Sequence, residues 1–227
     1  MMNVAIVGYG KMGRMIESLA PQYDVNVSHR LDIGWSEADL GTRPDAAIEF
    51  SAPEAAVENL ERLASLGIPT VCGTTGWFPQ LERVGVAFDR HNTALVYSAN
   101  YSIGVNVFQR LASEAAALLK DEAVYEAWAW EIHHSAKKDA PSGTLLQLTA
   151  AMRTAGYTRR IDESSSRAGA HPGTHEIGFD SAADTITLRH TARSREGFAR
   201  GALKAAAWIK GKRGVHAFAD VLFGTVR

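Results

Sequence analysis

The sequence predicts an α/β protein: a doubly wound parallel sheet in the N-terminal half, then an α+β domain with a mixed, largely antiparallel sheet. Three observations predict it. Short β-branched runs alternate with amphipathic helical segments through the first hundred or so residues, the pattern of parallel strands with crossover helices. A glycine-rich turn, GYGKMG, joins the first run directly to the first helix. Beyond Ser102 extended runs follow one another across short polar turns, as antiparallel neighbours do.

The first strand is Asn3 to Val7, and the helix after it repeats Met12, Met15, Ile16 and Leu19 at helical spacing. Val25 to Val27 predicts a weaker second strand, and Asp45 to Phe50 a third, closed by Ser51, Ala52 and Pro53. PEAAVENLERLASLG carries Ala56, Val57, Leu60, Leu63, Ala64 and Leu66 on one helical face and stops at Gly67, where a C-terminal glycine belongs. Ile68 to Val71 and Ala94 to Tyr97 complete five strands, ending in the turns CGTTGW and SANYS. Ligands of such sheets bind beyond the carboxyl ends of the strands, where GYGKMG, CGTTG and SANYS converge.

The second half opens with a long helix over Gly104 to Leu119, a strand over Ala123 to His134 carrying Trp128 and Trp130, and a helix over Gly143 to Gly156. Residues 161–170 are polar and charged and predict a flexible loop. Thr174 to Phe179 and Thr185 to Thr191, separated by DSAAD, predict an antiparallel pair. A last helix, Gly197 to Ile209, precedes the loop GKRGV and a short apolar end, FADVLFG.

With 46% hydrophobic residues the chain of 227 has ample material for a core, so disorder is excluded. Its 24 basic and 25 acidic residues give a net charge of −1, which favours neither nucleic acid nor an anionic membrane. Cys72 stands alone and forms no internal disulfide, no apolar run approaches the ~20 residues of a membrane span, and the first residues read as a strand rather than a signal. A cytoplasmic protein is expected.

Gly8, Gly10 and Gly13 form GxGxxG at a strand-to-helix junction, the context in which that pattern binds a dinucleotide. The first glycine permits the turn, the second admits the pyrophosphate, and the third lets helix and strand pack, while the helix N-terminus offers free N–H groups. The second strand runs on as VNVSHRLD, which places Ser28, His29 and Arg30 where a ribose-binding acid is expected, with Asp32 slightly beyond. A hydroxyl, an imidazole and a guanidinium suit a 2′-phosphate, so NADPH is the expected cofactor, with NADH also accepted; a solvated surface charge is the alternative for Arg30. CGTTG and SANYS present small polar groups that suit the rest of a dinucleotide.

The segment EIHHSAKKDAPSGT places His133, His134 and Lys137 in one cationic cluster. Adjacent residues of a strand face opposite sides, so the two histidines differ in role, but alternation alone does not say which faces a site. Nothing here has the spacing of a zinc motif, and no metal is expected. Ser142 is placed to cap the helix of Leu145, Leu146 and Leu148, leaving the N–H groups of Gly143 and Thr144 open to an anion. A histidine beside such an anion site has the properties of a general acid acting on a carboxylate-bearing substrate.

Through GYGKMGR, IEFSAPEA, CGTTGW, SANYSIGVNVF, EIHHSAKKDAPSGT, HPGTHEIGF, RHTARSREGFARGA, WIKGKRG and the final DVL, the whole chain resembles the dihydrodipicolinate reductase family. HHxxKxDAPSGT is its most specific motif. The resemblance implies a Rossmann-like dinucleotide-binding domain of residues 1–102 with 196–227, and a substrate-binding and oligomerisation domain of residues 103–195 that assembles a homotetramer. It implies NAD(P)H-dependent reduction of a cyclic dicarboxylate, 4-hydroxy-tetrahydrodipicolinate, in the diaminopimelate route to lysine. His133 is then the proton donor and Lys137 a second one, while His134, Gly143 and Thr144 hold substrate. Cofactor contacts fall on Gly8, Tyr9, Gly10, Lys11, Met12 and Gly13, on Gly73, Thr74 and Thr75, and on Ser98, Ala99, Asn100 and Tyr101.

Two departures bear on the cofactor. The family's commoner opening, GxxGxxG followed later by an acidic-arginine pair, is replaced by GYGKMG and Ser-His-Arg, and the chain is shortened between the second and third strands. An amine dehydrogenase acting on a linear diamino acid and a non-catalytic NADP-binding protein are the rival readings; the His-His-Lys cluster counts against both. Arg193 and Arg195, before the last helix, reach either substrate or a subunit interface unless they are ordinary surface charges. His171 and His175 read as structural residues positioned near the site by Gly173, and Trp128 and Trp130 as core or interface packing.

Overall fold

The structure is a computed structural model that describes residues 1–224. The first half runs β1 (Met2–Val7), α1 (Lys11–Leu19), β2 (Val25–Leu31), β3 (Ala46–Glu49), α2 (Pro53–Ser65), β4 (Thr70–Cys72), α3 (Leu81–Arg90) and β5 (Ala94–Tyr97). It continues with α4 (Ile103–Leu119), β6 (Glu126–His133), α5 (Gly143–Thr154), β7 (Ile161–Arg167), β8 (Thr174–Asp180), β9 (Thr185–Thr191), α6 (Glu196–Ile209), β10 (Gly214–Ala217) and α7 (Phe218–Phe223). Two compact units divide these elements: Met1–Ile103 with the chain from Glu196 onward, and Gly104–Arg195.

The first unit is a six-stranded sheet in the order β10-β5-β4-β3-β1-β2, parallel throughout. Strand alternation divides its side chains between two cores. Val4, Ile6, Ile48, Val71 and Val96 turn toward α1 and α6, whereas Cys72 and Leu95 meet α2 and α3, and Ala5, Val7 and Ala47 pack with Leu63 of α2. Burial on both faces explains why these strands read as short continuous apolar runs. Three small residues, Ala199, Ala202 and Ala205, line the face that α6 presents to the sheet.

The second unit is a four-stranded sheet, β7-β6-β8-β9, in which β6 and β7 are parallel and the other pairs antiparallel. Ala127 and Ala129 of β6 pack with Phe108, Ala112 and Ala116 of α4 and Leu145, Leu148 and Met152 of α5. The alternate residues Trp128, Trp130 and Ile132 are half-buried on the opposite face. A Cβ at Gly178 would lie 2.1 Å from the Trp128 indole, so that ring rests on the glycine of the neighbouring strand.

Three expectations are corrected. The second strand does not stop at Val27 but runs to Leu31, past a bulge where the register slips between Val4 and Ala5. The polar loop expected over residues 161–170 is largely β7, a sheet-edge strand whose Asp162, Glu163, Ser164 and Ser165 are exposed; with no alternate apolar face it carries no strand signature. Gly214 to Ala217, within the expected loop and tail, adds a sixth parallel strand beside β5, and the apolar end is the helix α7.

α6 can approach the sheet closely because of Gly201, where a Cβ would stand 1.8 Å from the carbonyl oxygen of Tyr101 and 3.0 Å from the Phe218 ring. A backbone oxygen has no rotamer to give way. Gly201→Ala is expected to lower stability by about 3 kcal/mol, the upper part of the range for overpacking, measured by urea denaturation; a loss under about 0.5 kcal/mol would show that α6 slides freely.

Candidate active site

The three glycines of the first turn carry different burdens. Gly8 has φ +90°, and a Cβ there would sit 2.2 Å from the carbonyl oxygen of Phe50. A Cβ on Gly13 would come within 2.7 Å of the carbonyl oxygen of Gly8, so this glycine packs α1 on the turn. Gly10 precedes α1 with nothing within 4 Å of where its Cβ would be, which leaves the backbone open to a ligand. Gly8 and Gly10 line a cavity of about 430 Å³ with Asp32, Trp35, Ser51, Asn59 and Arg62. An open glycine at a helix N-terminus beside a cavity of this size fits a dinucleotide.

The remaining expected cofactor residues are placed otherwise. Ser28 sits at the bulge, bonded to the Val4 carbonyl at 3.3 Å and to Nδ1 of His29 at 2.9 Å. Arg30 is ion-paired with Glu17 of α1, which also accepts from the Tyr9 hydroxyl. Neither Ser28, His29 nor Arg30 lines the cavity; because β2 is longer than expected, the residue at its end is Asp32. Lys11 begins α1 exposed, and Met12 packs against the core.

In the CGTTG turn, Gly73 lies under the Phe50 ring, which would meet a Cβ at 2.1 Å. Thr74 is buried and accepts from the Ser51 N–H at 2.8 Å, and its carbonyl takes Nε1 of Trp77 at 2.9 Å. Thr75 and Ala99 are exposed. Ser98 Oγ bonds the Asn100 backbone at 2.8 and 3.1 Å, and Asn100 Oδ1 accepts from Ser102 N–H at 2.9 Å. Tyr101 is a core residue whose hydroxyl donates to the carbonyls of Cys72 and Val96 at 2.9 and 3.0 Å. Thr74 and Tyr101 therefore shape the turns, while Thr75, Ala99 and the backbone face outward.

In the second unit, Glu131 and His133 both turn inward from β6, and His134, past the strand end, is half-buried. The His134 backbone N–H donates to the carbonyl of His171 at 2.8 Å. Lys137 Nζ holds both carboxylate oxygens of Asp139 at 2.8 and 2.9 Å. Ser142 caps α5 as expected, accepting from Leu145 N–H at 3.2 Å. Gly143 is exposed with open space about its Cβ position, and Thr144 is half-buried. Arg193 and Arg195 are exposed.

A cluster of buried polar side chains lies beneath these residues. Glu131 is fully buried, yet its carboxylate accepts from Ser142 N–H at 2.9 Å, from the Ser142 hydroxyl, from Ser165 Oγ at 2.9 Å and from Arg167 Nη2 at 2.8 Å. Burial raises its pKa, but these donors outweigh burial and hold it at about 2. His175 Nε2 lies 3.3 Å from the same carboxylate and its ring stands edge-on to His133 at 5.1 Å. Burial first, then His133, lowers the His175 pKa to about 4. Burial also lowers that of His133, which Glu131 opposes and Lys137 and Arg167 reinforce. Ligand atoms of Glu131, His133 and His175 lie within 4.8 Å of one another, but a carboxylate already accepting four hydrogen bonds is a poor partner for a metal ion.

The descriptions "Dihydrodipicolinate reductase, N-terminus" and "Dihydrodipicolinate reductase, C-terminus" match residues 2–101 and 104–222. The chain belongs to the dihydrodipicolinate reductase family. It is 36% identical over 97% of its length, and 98% of the relative's, to the 4-hydroxy-tetrahydrodipicolinate reductase of Christiangramia forsetii. A dipicolinate-bound dihydrodipicolinate reductase from Paenisporosarcina sp. TG-14 has the same fold, with TM-score 0.83 at 19% identity over 96% of this chain and 97% of that one. An amine dehydrogenase from Mycobacterium smegmatis shares the fold at TM-score 0.65 and 11% identity, covering 96% and 95%.

Within this family of oxidoreductases the chain's C-terminal match crosses from one compact unit to the other, since α6, β10 and α7 return to the parallel sheet. Among the described residues no helix is long and apolar enough to cross a membrane. The site residues missed by sequence reasoning are Trp35, Asn59 and Arg62 around the cavity and Ser165 and Arg167 around Glu131. Asn59 and Arg62 on α2 and Ser165 and Arg167 on the edge strand β7 share only polarity, which solvated faces share, and Trp35 lies in the loop after β2 with no motif around it.

His175 has a consequence for stability. Its folded pKa of about 4 lies below the unfolded 6.5, so as pH falls the unfolded chain takes the proton first. Stability is complete above pH 6.5 and is lost toward pH 4, by about 3 kcal/mol for this buried group. Urea denaturation across that range measures it, and His175→Gln is expected to flatten the curve.

Proposed function

We propose that this chain carries its family's activity, the NAD(P)H-dependent reduction of 4-hydroxy-tetrahydrodipicolinate to tetrahydrodipicolinate in the cytoplasm, on the route through diaminopimelate to lysine. The observation that carries the reading is the second unit's pairing of an inward histidine with a helix N-terminus at Gly143 and Thr144 that already holds a carboxylate, that of Asp139, in a chain of this family. A small dicarboxylate fits it. The N–H groups and the partial positive charge at the start of α5 hold one substrate carboxylate in place of that of Asp139, and His134 and Lys137 add donors. Lys137 reaches substrate by exchanging Asp139 for a substrate carboxylate.

A bound nicotinamide dinucleotide supplies the hydride. Gly10 and the first N–H groups of α1 would hold its pyrophosphate, and Asp32 its ribose. With loss of the substrate's hydroxyl as water, hydride enters the conjugated ring, and the electron pair displaced through the imine is quenched by a proton from His133. Lys137 is the second donor, and the held carboxylate fixes the ring's orientation. His133→Ala is expected to cut turnover ~10²–10⁴-fold with cofactor affinity unchanged, and Lys137→Ala to lower turnover and raise the substrate KM. Loss of absorbance at 340 nm follows the reaction; near-normal kinetics in both variants would end this assignment and revive the diamino-acid and non-catalytic readings.

Cofactor choice is the finer point. Ser28, His29 and Arg30 favour NADPH by residue type, but Arg30 is held by Glu17, whereas the carboxylate at the end of β2 is Asp32. Asp32 accepts from ribose hydroxyls and repels a 2′-phosphate, so NADH is bound at least as well as NADPH. Arg62, the cation of the cavity, is engaged by the Trp35 carbonyl and Glu58. Quenching of tryptophan fluorescence should show Asp32→Asn losing ~10-fold in NADH affinity while NADPH binding holds or improves. Tighter NADPH binding in the unaltered protein would restore the preference for NADPH. The half-buried face of Trp128, Trp130 and Ile132 supports assembly, as a homotetramer, through the mixed sheet.

A further inference from the structure

We infer that Glu131 is a positioning residue for this reaction, one buried carboxylate that sets both the His133 imidazole and the N-terminus of α5. The inference rests on His133 being the proton donor and adds what holds it. Glu131 reaches four segments at once: its own strand β6, Ser142 at the start of α5, Ser165 and Arg167 of β7, and His175 of β8. Arg167 also donates to the Asp139 carbonyl at 2.6 Å, so the loop that carries Lys137 is tied to the same carboxylate.

The His133 end of this arrangement has an unfilled bond. Nδ1 of His133 is buried without a hydrogen-bond partner among the described residues, and Oε2 of Glu131 stands 3.5 Å away. The opposite side of the ring is bounded by Gly173, where a Cβ would fall 2.9 Å from Nε2. A slight tilt of the imidazole closes the Nδ1–H to Glu131 contact and leaves Nε2 as the nitrogen that exchanges the proton. Charged and titratable groups around His133 come from each neighbouring segment: Glu131 on β6, Lys137 and Asp139 on the loop, Arg167 on β7 and His175 on β8. Of these the carboxylates favour the imidazolium and the cations oppose it.

An imidazolium donor loses activity as pH rises through its pKa. Removing the Glu131 charge lowers that pKa, and removing the Arg167 charge raises it. Glu131→Gln is therefore expected to move the alkaline limb of kcat/KM down by about one pH unit and to raise the substrate KM, whereas Arg167→Gln moves the limb up. Ser142→Ala, which keeps the carboxylate but removes the cap, should raise KM and leave the limb in place. NMR titration of the His133 ring in the full chain, assigned with His133→Gln, gives its pKa independently of turnover. An unmoved His133 pKa in Glu131→Gln and Arg167→Gln overturns the role of Glu131. A pKa that moves while the rate profile stays put sustains that role and overturns His133 as the donor. Should Glu131→Gln fail to fold, Arg167→Gln decides alone by the direction of its shift.

Discussion

A carboxylate taken wholly out of water is tolerated only where donors replace its hydration, and in the mixed sheet that requirement falls on Glu131. Its donors come from segments distant in sequence: a helix cap eleven residues on and an edge strand more than thirty residues on. Meeting the demand of one side chain thus fixes where α5 begins, how β7 lies against β6, and where the intervening loop passes. The first turn of α5 stands where it does because Ser142 is held from below, and the N–H of Gly143 is turned to the Asp139 carboxylate.

The parallel sheet uses the same device at the end of β3. Glu49 is fully buried and accepts from the Ser51 N–H at 3.1 Å, the Ser51 hydroxyl and the Cys72 thiol at 3.0 Å. It joins the turn after β3 to the end of β4, and the Tyr101 hydroxyl, bonded to the Cys72 carbonyl, adds the end of β5. Burial, and then Glu49, push the Cys72 thiol well up, so this lone cysteine is a hydrogen-bond donor and not a nucleophile. The turns after β3, β4 and β5 are tied together because their polar side chains are spent on one another and on the backbone.

How much of this was legible beforehand depends on the kind of signal. The GxGxxG turn, the alternation of parallel strands with helices and the Ser142 cap were readable because each is written in local residue types. The length of β2 was less so, since the bulge at Ser28 breaks the alternation from which a strand's length is read, although Asp32 stands just beyond the strand as the run VNVSHRLD implies. β7 reads as a loop because an edge strand of Asp, Glu and Ser satisfies its neighbour and water without an apolar face. The Glu131 cluster was invisible for a related reason. Glutamate, serine and arginine ordinarily mark a solvated surface, and only the parallel pairing of β6 with β7 shows that Ser165 and Arg167 point at a buried acid.

That pairing also resolves a conflict within the site. In its proposed role the His133 imidazole must be cationic to donate, yet burial and the nearby Lys137 and Arg167 disfavour its charge. A carboxylate beside it restores the balance only if it does not itself take the proton. Four hydrogen bonds hold Glu131 at a pKa of about 2, so it acts as a fixed negative charge across the working range. His175, kept neutral by a pKa of about 4, lies 3.3 Å from the same carboxylate without setting a second cation against the first. The donors that make Glu131 a weak base keep it from competing for that proton, while burial still leaves the His133 pKa below its ordinary value.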